Sequence, residues 1–133
     1  MTETAGPAPG YKDMPEHFVN FERSPKRIRV AFGGKTIVDT TDGLIVYERG
    51  HVPVYYFPRD DVAMDLLTGT DHSTHCPFKG DASYFTVNAG GQTAENAVWS
   101  YEQPFDEAAG LKDYLAFYWK KMDAWHEDDE EVF

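Results

Sequence analysis

Cysteine is nearly missing from this chain: Cys76 stands alone in 133 residues. One thiol cannot close an internal disulfide, so a reducing setting is the natural one and a cytoplasmic location is expected. Long apolar runs are missing too. None approaches the roughly 18 residues a membrane span needs, and the polar start lacks the apolar stretch of a signal peptide. Neither a membrane-spanning nor a secreted chain is expected. Positive charge is scarce, with 12 Lys and Arg against 23 Asp and Glu and a net charge of −11. Binding nucleic acid replaces counterions with Lys and Arg, so no nucleic-acid partner is expected, and an anionic membrane would repel the chain for the same reason.

What the chain holds instead is aromatic mass: nine Phe, eight Tyr and three Trp. With 41% hydrophobic residues this supplies the core of one soluble domain. Residues 1–24, with Pro7, Pro9, Gly10 and Pro15, show no periodicity and read as an irregular arm that docks through Tyr11, Phe18 and Phe21. At the other end, Glu127-Asp128-Asp129-Glu130-Glu131 reads as part of a solvated acidic tail over 127–133. The span 25–126 between them is the expected domain.

Within that span the pattern is that of strands. Arg27 to Phe32 alternates polar and apolar, Gly33-Gly34 marks a turn, and Thr36 to Asp39 returns as a hairpin. Asp42-Gly43 turns the chain into Leu44 to Tyr47, and Val52 to Phe57 follows, with Pro53 confining it to an edge or delaying its start by one residue. Ala82 to Val87 and Ala97 to Tyr101 flank Gly90-Gly91. Short strands with turns between them predict an antiparallel β fold with little helix. From Ala108 to Trp125, Leu111, Tyr114, Leu115, Tyr118, Trp119 and Met122 fall at helical spacing, although Tyr114 to Trp119 would equally suit a buried strand.

Reactive side chains concentrate in Asp71-His72-Ser73-Thr74-His75-Cys76-Pro77-Phe78-Lys79-Gly80. Pro77 and Gly80 imply a fixed turn that holds the Cys76 thiol near Lys79. A nearby ammonium favours the thiolate, and a histidine can accept its proton. The functional reading makes Cys76 a nucleophile, with Lys79 and His75 as its helpers. The bland reading is a small packed thiol under a turn, with Lys79 reaching water. His72, His75, Cys76 and Asp71 are chemically suitable for zinc, but their spacing is not that of a structural zinc site. Asp60-Asp61 could be paired acids or could cap a turn. Trp99-Ser100-Tyr101 could form an aromatic wall or pack in the core. Gly33-Gly34-Lys35-Thr36 lacks the glycine five residues before Gly34 that a phosphate loop requires, and is a hairpin turn.

Several of these segments together resemble the bacterial family called domain of unknown function 427. They are Arg29 to Gly34, Pro53-Val54-Tyr55-Tyr56-Phe57-Pro58 with Asp61-Val62, and Thr74 to Tyr84, which includes Cys76-Pro77-Phe78-Lys79-Gly80. Ala97 to Tyr101 with Pro104, and Ala116-Phe117-Tyr118, complete the match over about residues 25–126. The resemblance implies a small cytosolic bacterial domain without an assigned activity. Its fold would be a small antiparallel sandwich or half-barrel similar to the β-tent of Rab-exchange-factor-like proteins and methionine sulfoxide reductase B. It favours a strand over Tyr114 to Trp119. Many β-tent proteins hold zinc in two Cys-x-x-Cys knuckles, but here Lys79 stands where the second cysteine would be. No structural zinc is therefore expected, and no cofactor.

The first expectation for function is a small-molecule site, binding or catalytic. Cys76, Lys79 and His75 would do the chemistry, with Tyr55, Asp61, Trp99 and Tyr101 as lining. The alternative is a non-catalytic protein-interaction module built on an edge strand or flat face. A nucleotidyltransferase, the label the family sometimes carries, is a further alternative. It would need a Gly-Ser loop and Asp-x-Asp acids for magnesium, and neither pattern occurs.

Overall fold

The computed structural model describes residues 4–133, and they form eleven strands in three antiparallel sheets. The strands are β1 (Val19–Arg23), β2 (Ile28–Phe32), β3 (Lys35–Thr40), β4 (Leu44–Glu48), β5 (Val54–Tyr56), β6 (Leu67–Cys76), β7 (Gly80–Ala89), β8 (Gln92–Tyr101), β9 (Leu115–Phe117), β10 (Ala124–Glu127) and β11 (Glu130–Val132). The one α-helical turn, α1, is Gly10–Asp13, and four short 3₁₀ turns complete the list. The first sheet runs β1-β4-β5, the second β11-β10-β2-β3 and the third β6-β7-β8-β9. The expected mainly-β, antiparallel class with little helix is what the chain adopts.

The hairpins follow from local chemistry. Gly33 and Gly34 sit at φ of +60° and +76° between β2 and β3, and Gly90 and Gly91 at +58° and +78° between β7 and β8. Glycine adopts these angles without the steric cost other residues incur. β2 is buried at Ile28, Val30 and Phe32 and only half-buried between them, as its alternation predicts. Pro53 lies outside β5, which starts at Val54. Phe57 and Leu115 exchange backbone hydrogen bonds of 2.8 Å in both directions, tying the first sheet to the third.

Phe57 is the hub of the larger core. Its ring lies 6.0 Å from that of Phe117 and 6.1 Å from that of Trp125, and it is fully excluded from water. Ile28, Val30, Ile37, Val38, Val87 and Val98 belong to the same buried cluster. A smaller cluster, with Val46, Tyr56, Tyr84, Tyr101 and Leu111, lies on the other face of the first sheet.

Three stretches differ from the sequence expectation. The N-terminal arm is irregular apart from α1 only to residue 18, because Val19–Arg23 pairs with β4 as a strand. The arm docks through Tyr11, whose ring meets Phe78 edge-on at 5.0 Å, and Phe21 packs on the smaller cluster. Phe18, expected to dock, stays 44% exposed. The acidic stretch is exposed over residues 128–131, as expected, but it is a hairpin rather than a tail: β10 ends at Glu127, Asp128 turns at φ +54°, and β11 returns over Glu130–Val132. Asp128 gives its N–H to the Arg27 carbonyl at 2.7 Å and accepts the Arg27 N–H on its carboxylate at 2.9 Å. Finally, the helical spacing in 108–125 resolves into a 3₁₀ turn at Asp106–Leu111, strand β9, and another 3₁₀ turn at Trp119–Lys121. Of the strand expected over Tyr114 to Trp119, residues 115–117 form one.

Candidate functional site

The Cys-Pro turn is the tip of the β6–β7 hairpin. Gly80, at φ +125°, lets the chain pass Gln103 and Pro104, where an added Cβ would sit 3.3 Å from backbone. This turn carries Lys79 to Glu48 at the end of β4, and the two form an ion pair. Glu48 also takes a hydrogen bond of 3.0 Å with Nε2 of His17, whose ring stacks on Phe78 at 3.7 Å. The three polar side chains are 13%, 9% and 7% exposed, so the group is nearly sealed from solvent. Burial alone would push the Glu48 carboxyl up. The hydrogen bond and charge of Lys79, helped by His17, outweigh it and hold Glu48 below its ordinary value. Lys79 also lies 5.8 Å over the Tyr101 ring. Its ammonium is thus already partnered on two sides.

Cys76 is half-buried at the end of β6 and borders an open cleft of about 510 Å³ with His17, Glu48, His51, His75 and Phe78. His75 is exposed, with Nδ1 2.7 Å from Asp81 and the ring edge-on to Phe105. The charged groups bordering the cleft are the Glu48 carboxylate and the Arg49 guanidinium, while the Lys79 ammonium sits behind Glu48 and does not line the space.

A second concavity lies where the three sheets converge. Alternation along β4 sends Ile45 and Tyr47 to one face and Val46 and Glu48 to the other, so one strand separates the hollow from the Glu48 group. The hollow, about 520 Å³, is bordered by Tyr47 from β4, Tyr55 from β5, Trp99 from β8, Tyr118 and Trp119 after β9, and Trp125 and Glu127 from β10. Ile45, Val52, Pro53, Val54 and Phe117 fill the gaps. All three tryptophans of the chain are in this lining. Trp119 and Trp125 lie parallel at 4.0 Å and 6°, while Trp99 and Tyr118 meet at 4.8 Å and 50°.

The polar groups of this lining are few and mostly engaged. Trp99 Nε1–H donates to the Tyr56 hydroxyl at 3.1 Å, and Trp125 Nε1–H to the Trp119 carbonyl at 3.0 Å. The Tyr55 hydroxyl donates to one Glu127 oxygen at 2.5 Å and Lys26 Nζ to the other at 3.2 Å. The Tyr55 hydrogen bond, with Lys26 behind it, holds the Glu127 carboxyl below its ordinary range against the opposing effect of burial. Burial and the facing carboxylate push the Tyr55 phenol well above its own. Among the described residues, no Lys, Arg or His borders the hollow.

The model of one family, domain of unknown function DUF427, matches residues 20–128. The chain belongs to that family. No curated protein matches it closely enough to lend it an activity. The DUF427 span runs from β1 to the turn after β10 and contains every residue of the aromatic hollow. Met14 and His17, which border the Cys76 cleft, lie outside it.

The DUF427 domain brings four of the residues expected from sequence to these two places and leaves Lys79, Tyr101 and Asp61 outside both linings. Tyr55 and Trp99 line the hollow. Cys76 and His75 share the cleft, with Lys79 behind Glu48 and over Tyr101. Tyr101 is 6% exposed and borders neither space. Asp61 stands apart in the 3₁₀ turn after Pro58 and accepts the Thr40 hydroxyl at 2.7 Å. Sequence reasoning missed Tyr47, Tyr118, Trp119, Trp125 and Glu127. One usable signal was the gathering of two of the three tryptophans and a tyrosine within residues 118–125 of an aromatic-rich β chain.

Proposed function

We propose that this DUF427 domain binds a small molecule, and that the aromatic hollow at the sheet junction is its site. The observation that carries the reading is the lining itself: three tryptophans, three tyrosines and one carboxylate around 520 Å³. That volume falls in the range of about 300–1,000 Å³ typical of ligand sites, which are mostly apolar with a few placed polar groups. Tyr118 and Trp119 stay 41% and 38% exposed, the kind of clustered open aromatic surface that marks binding sites. The rings are held by their own packing and by internal hydrogen bonds, so little ordering remains for a ligand to impose. A thermal-shift screen of metabolites tests this, because a ligand at 100 times its dissociation constant adds about 2.7 kcal/mol. A hit whose stabilisation disappears in Trp119→Ala supports the site, and a hit indifferent to Trp119 places binding elsewhere.

A second reading keeps chemistry at the Cys-Pro turn, with Cys76 as nucleophile and His75 taking its proton. The shared cleft of these two residues favours it. Iodoacetamide labelling across pH checks it: rapid modification of the folded chain below the ordinary thiol range supports it, and slow labelling with a midpoint near 8.5 or above removes it. The transferase alternative gains nothing from the acids, since Asp61 is engaged with Thr40. A reducing cytoplasmic setting in a bacterium remains the compartment we infer, on the unpaired Cys76 and the family resemblance.

A further inference from the structure

Resting on the reading of the hollow as a ligand site, the chemistry of its lining narrows what enters. We infer that the ligand is a small molecule carrying an alkylated ammonium group, seated against the tryptophan and tyrosine rings beside the Glu127 carboxylate.

Three observations lead there. The lining holds one formal charge, and it is negative, with no Lys, Arg or His among the bordering residues. An anionic ligand such as a phosphate ester would meet only a carboxylate and ring faces, whose quadrupole is negative. The indole N–H groups of Trp99 and Trp125 are consumed inside the protein, so the Trp119 N–H is the one indole donor left beside the ring faces. Trp119 and Trp125 lie directly on one another at 4.0 Å, so no slot between them remains for a flat aromatic guest. Ring faces with a nearby carboxylate and few donors suit a cation that makes no directional hydrogen bonds, which is the property of an alkylated ammonium.

Two further features agree. Outside the lining, one of the protein's own ammonium groups already sits on a ring of this cluster, Lys121 Nζ lying 5.3 Å over the Tyr118 ring. The net charge of −11 draws cations toward the surface. Lys26 is the one competing cation near Glu127. Its side chain is half exposed, and such a pair is held weakly enough for a ligand cation to share the carboxylate while Tyr55 keeps the other oxygen.

The test titrates the full chain with choline and with tetramethylammonium, and in parallel with their neutral isosteres dimethylbutanol and tert-butanol, following tryptophan fluorescence and heat. Each ammonium compound should bind about tenfold or more tightly than its isostere, the factor that corresponds to about 1.4 kcal/mol. Glu127→Gln keeps the size of the side chain and should remove most of that preference without changing the isostere's affinity. Trp119→Ala should weaken the ammonium compounds about tenfold or more. Should either variant fail to fold, the wild-type chain still decides, because ammonium binding must weaken as salt rises while isostere binding does not. Isosteres binding as well as the ammonium compounds would overturn the inference and leave the hollow a small-molecule site of other specificity. Ammonium binding that leaves the tryptophan signal unmoved would also overturn it. If neither these probes nor any metabolite of the thermal-shift screen binds, the site reading falls as well.

Discussion

Glu127 and Tyr55, 72 residues apart, meet in a 2.5 Å hydrogen bond that joins the end of β10 to β5 across the mouth of the hollow. It ties the second sheet to the first through the one charged residue of the lining. Tyr55→Phe removes the donor and keeps the ring. A charge-assisted bond that is partly exposed contributes about 1 kcal/mol, so the unfolding free energy should fall by about that amount, read as a lower urea midpoint with the slope unchanged. An unaltered midpoint would mean that the two sheets hold together without it.

Glu48 and Lys79 make a different kind of pair, since both side chains are nearly buried. Removing one partner strands the other charge. Glu48→Gln should cost about 2–3 kcal/mol, somewhat less than the fully buried case because the group borders an open cleft. Adding Lys79→Met to that variant should recover part of the loss. A double mutant as weak as the sum of the two singles would show that the residues act independently.

The turns at Gly33 and Gly90 press against each other. An added Cβ on Gly33 would lie 2.1 Å from the Ala89 carbonyl oxygen, and one on Gly90 would lie 2.0 Å from that of Gly33. Both positions also have positive φ. Gly33→Ala or Gly90→Ala should therefore destabilise the fold by about 3 kcal/mol or more, read as a fall in melting temperature. Gly91→Ala, where nothing lies within 4 Å, should cost less. Equal effects at Gly90 and Gly91 would contradict the close approach.

Stability should decline at both ends of the pH scale, for opposite reasons. Tyr55, Tyr56 and Tyr101 have phenols raised above the ordinary 10.0, chiefly by burial. Their contribution is complete below pH 10 and is lost as pH rises beyond it, because the unfolded chain then releases protons the folded one retains. Glu48 and Glu127 are held below the ordinary 4.5 by their partners, so their contribution is complete above that value and is lost as pH falls below it. Denaturation followed from pH 3 to 11 should give a plateau between these limits. In Tyr55→Phe the alkaline decline should be shallower.

Much of the fold was legible from short-range pattern. The alternation of Arg27 to Phe32 and the Gly33-Gly34 pair specified a hairpin because strand period and turn chemistry are local properties. The lining of the candidate site was legible only where a residue stood inside a recognisable strand, as Tyr55 and Trp99 do. Glu127 was hidden in a run of acids, and charge runs ordinarily face water. Here its place in β10, opposite Ile28 of β2, brings it to the hollow, and register between strands 99 residues apart has no local signal. Trp119 and Trp125 were hidden in the same way. Trp119 falls in a series at helical spacing, and Trp125 stands six residues on, whereas a 3₁₀ turn and a strand stack the two rings.

The most direct test follows the three indole N–H resonances, since every tryptophan of the chain borders the hollow. The chain is titrated with the compound that most raises its melting temperature. The account predicts that the Trp99, Trp119 and Trp125 signals shift together and saturate while the His75 ring signals stay in place. Shifts at His75 with all three indoles unmoved would contradict it.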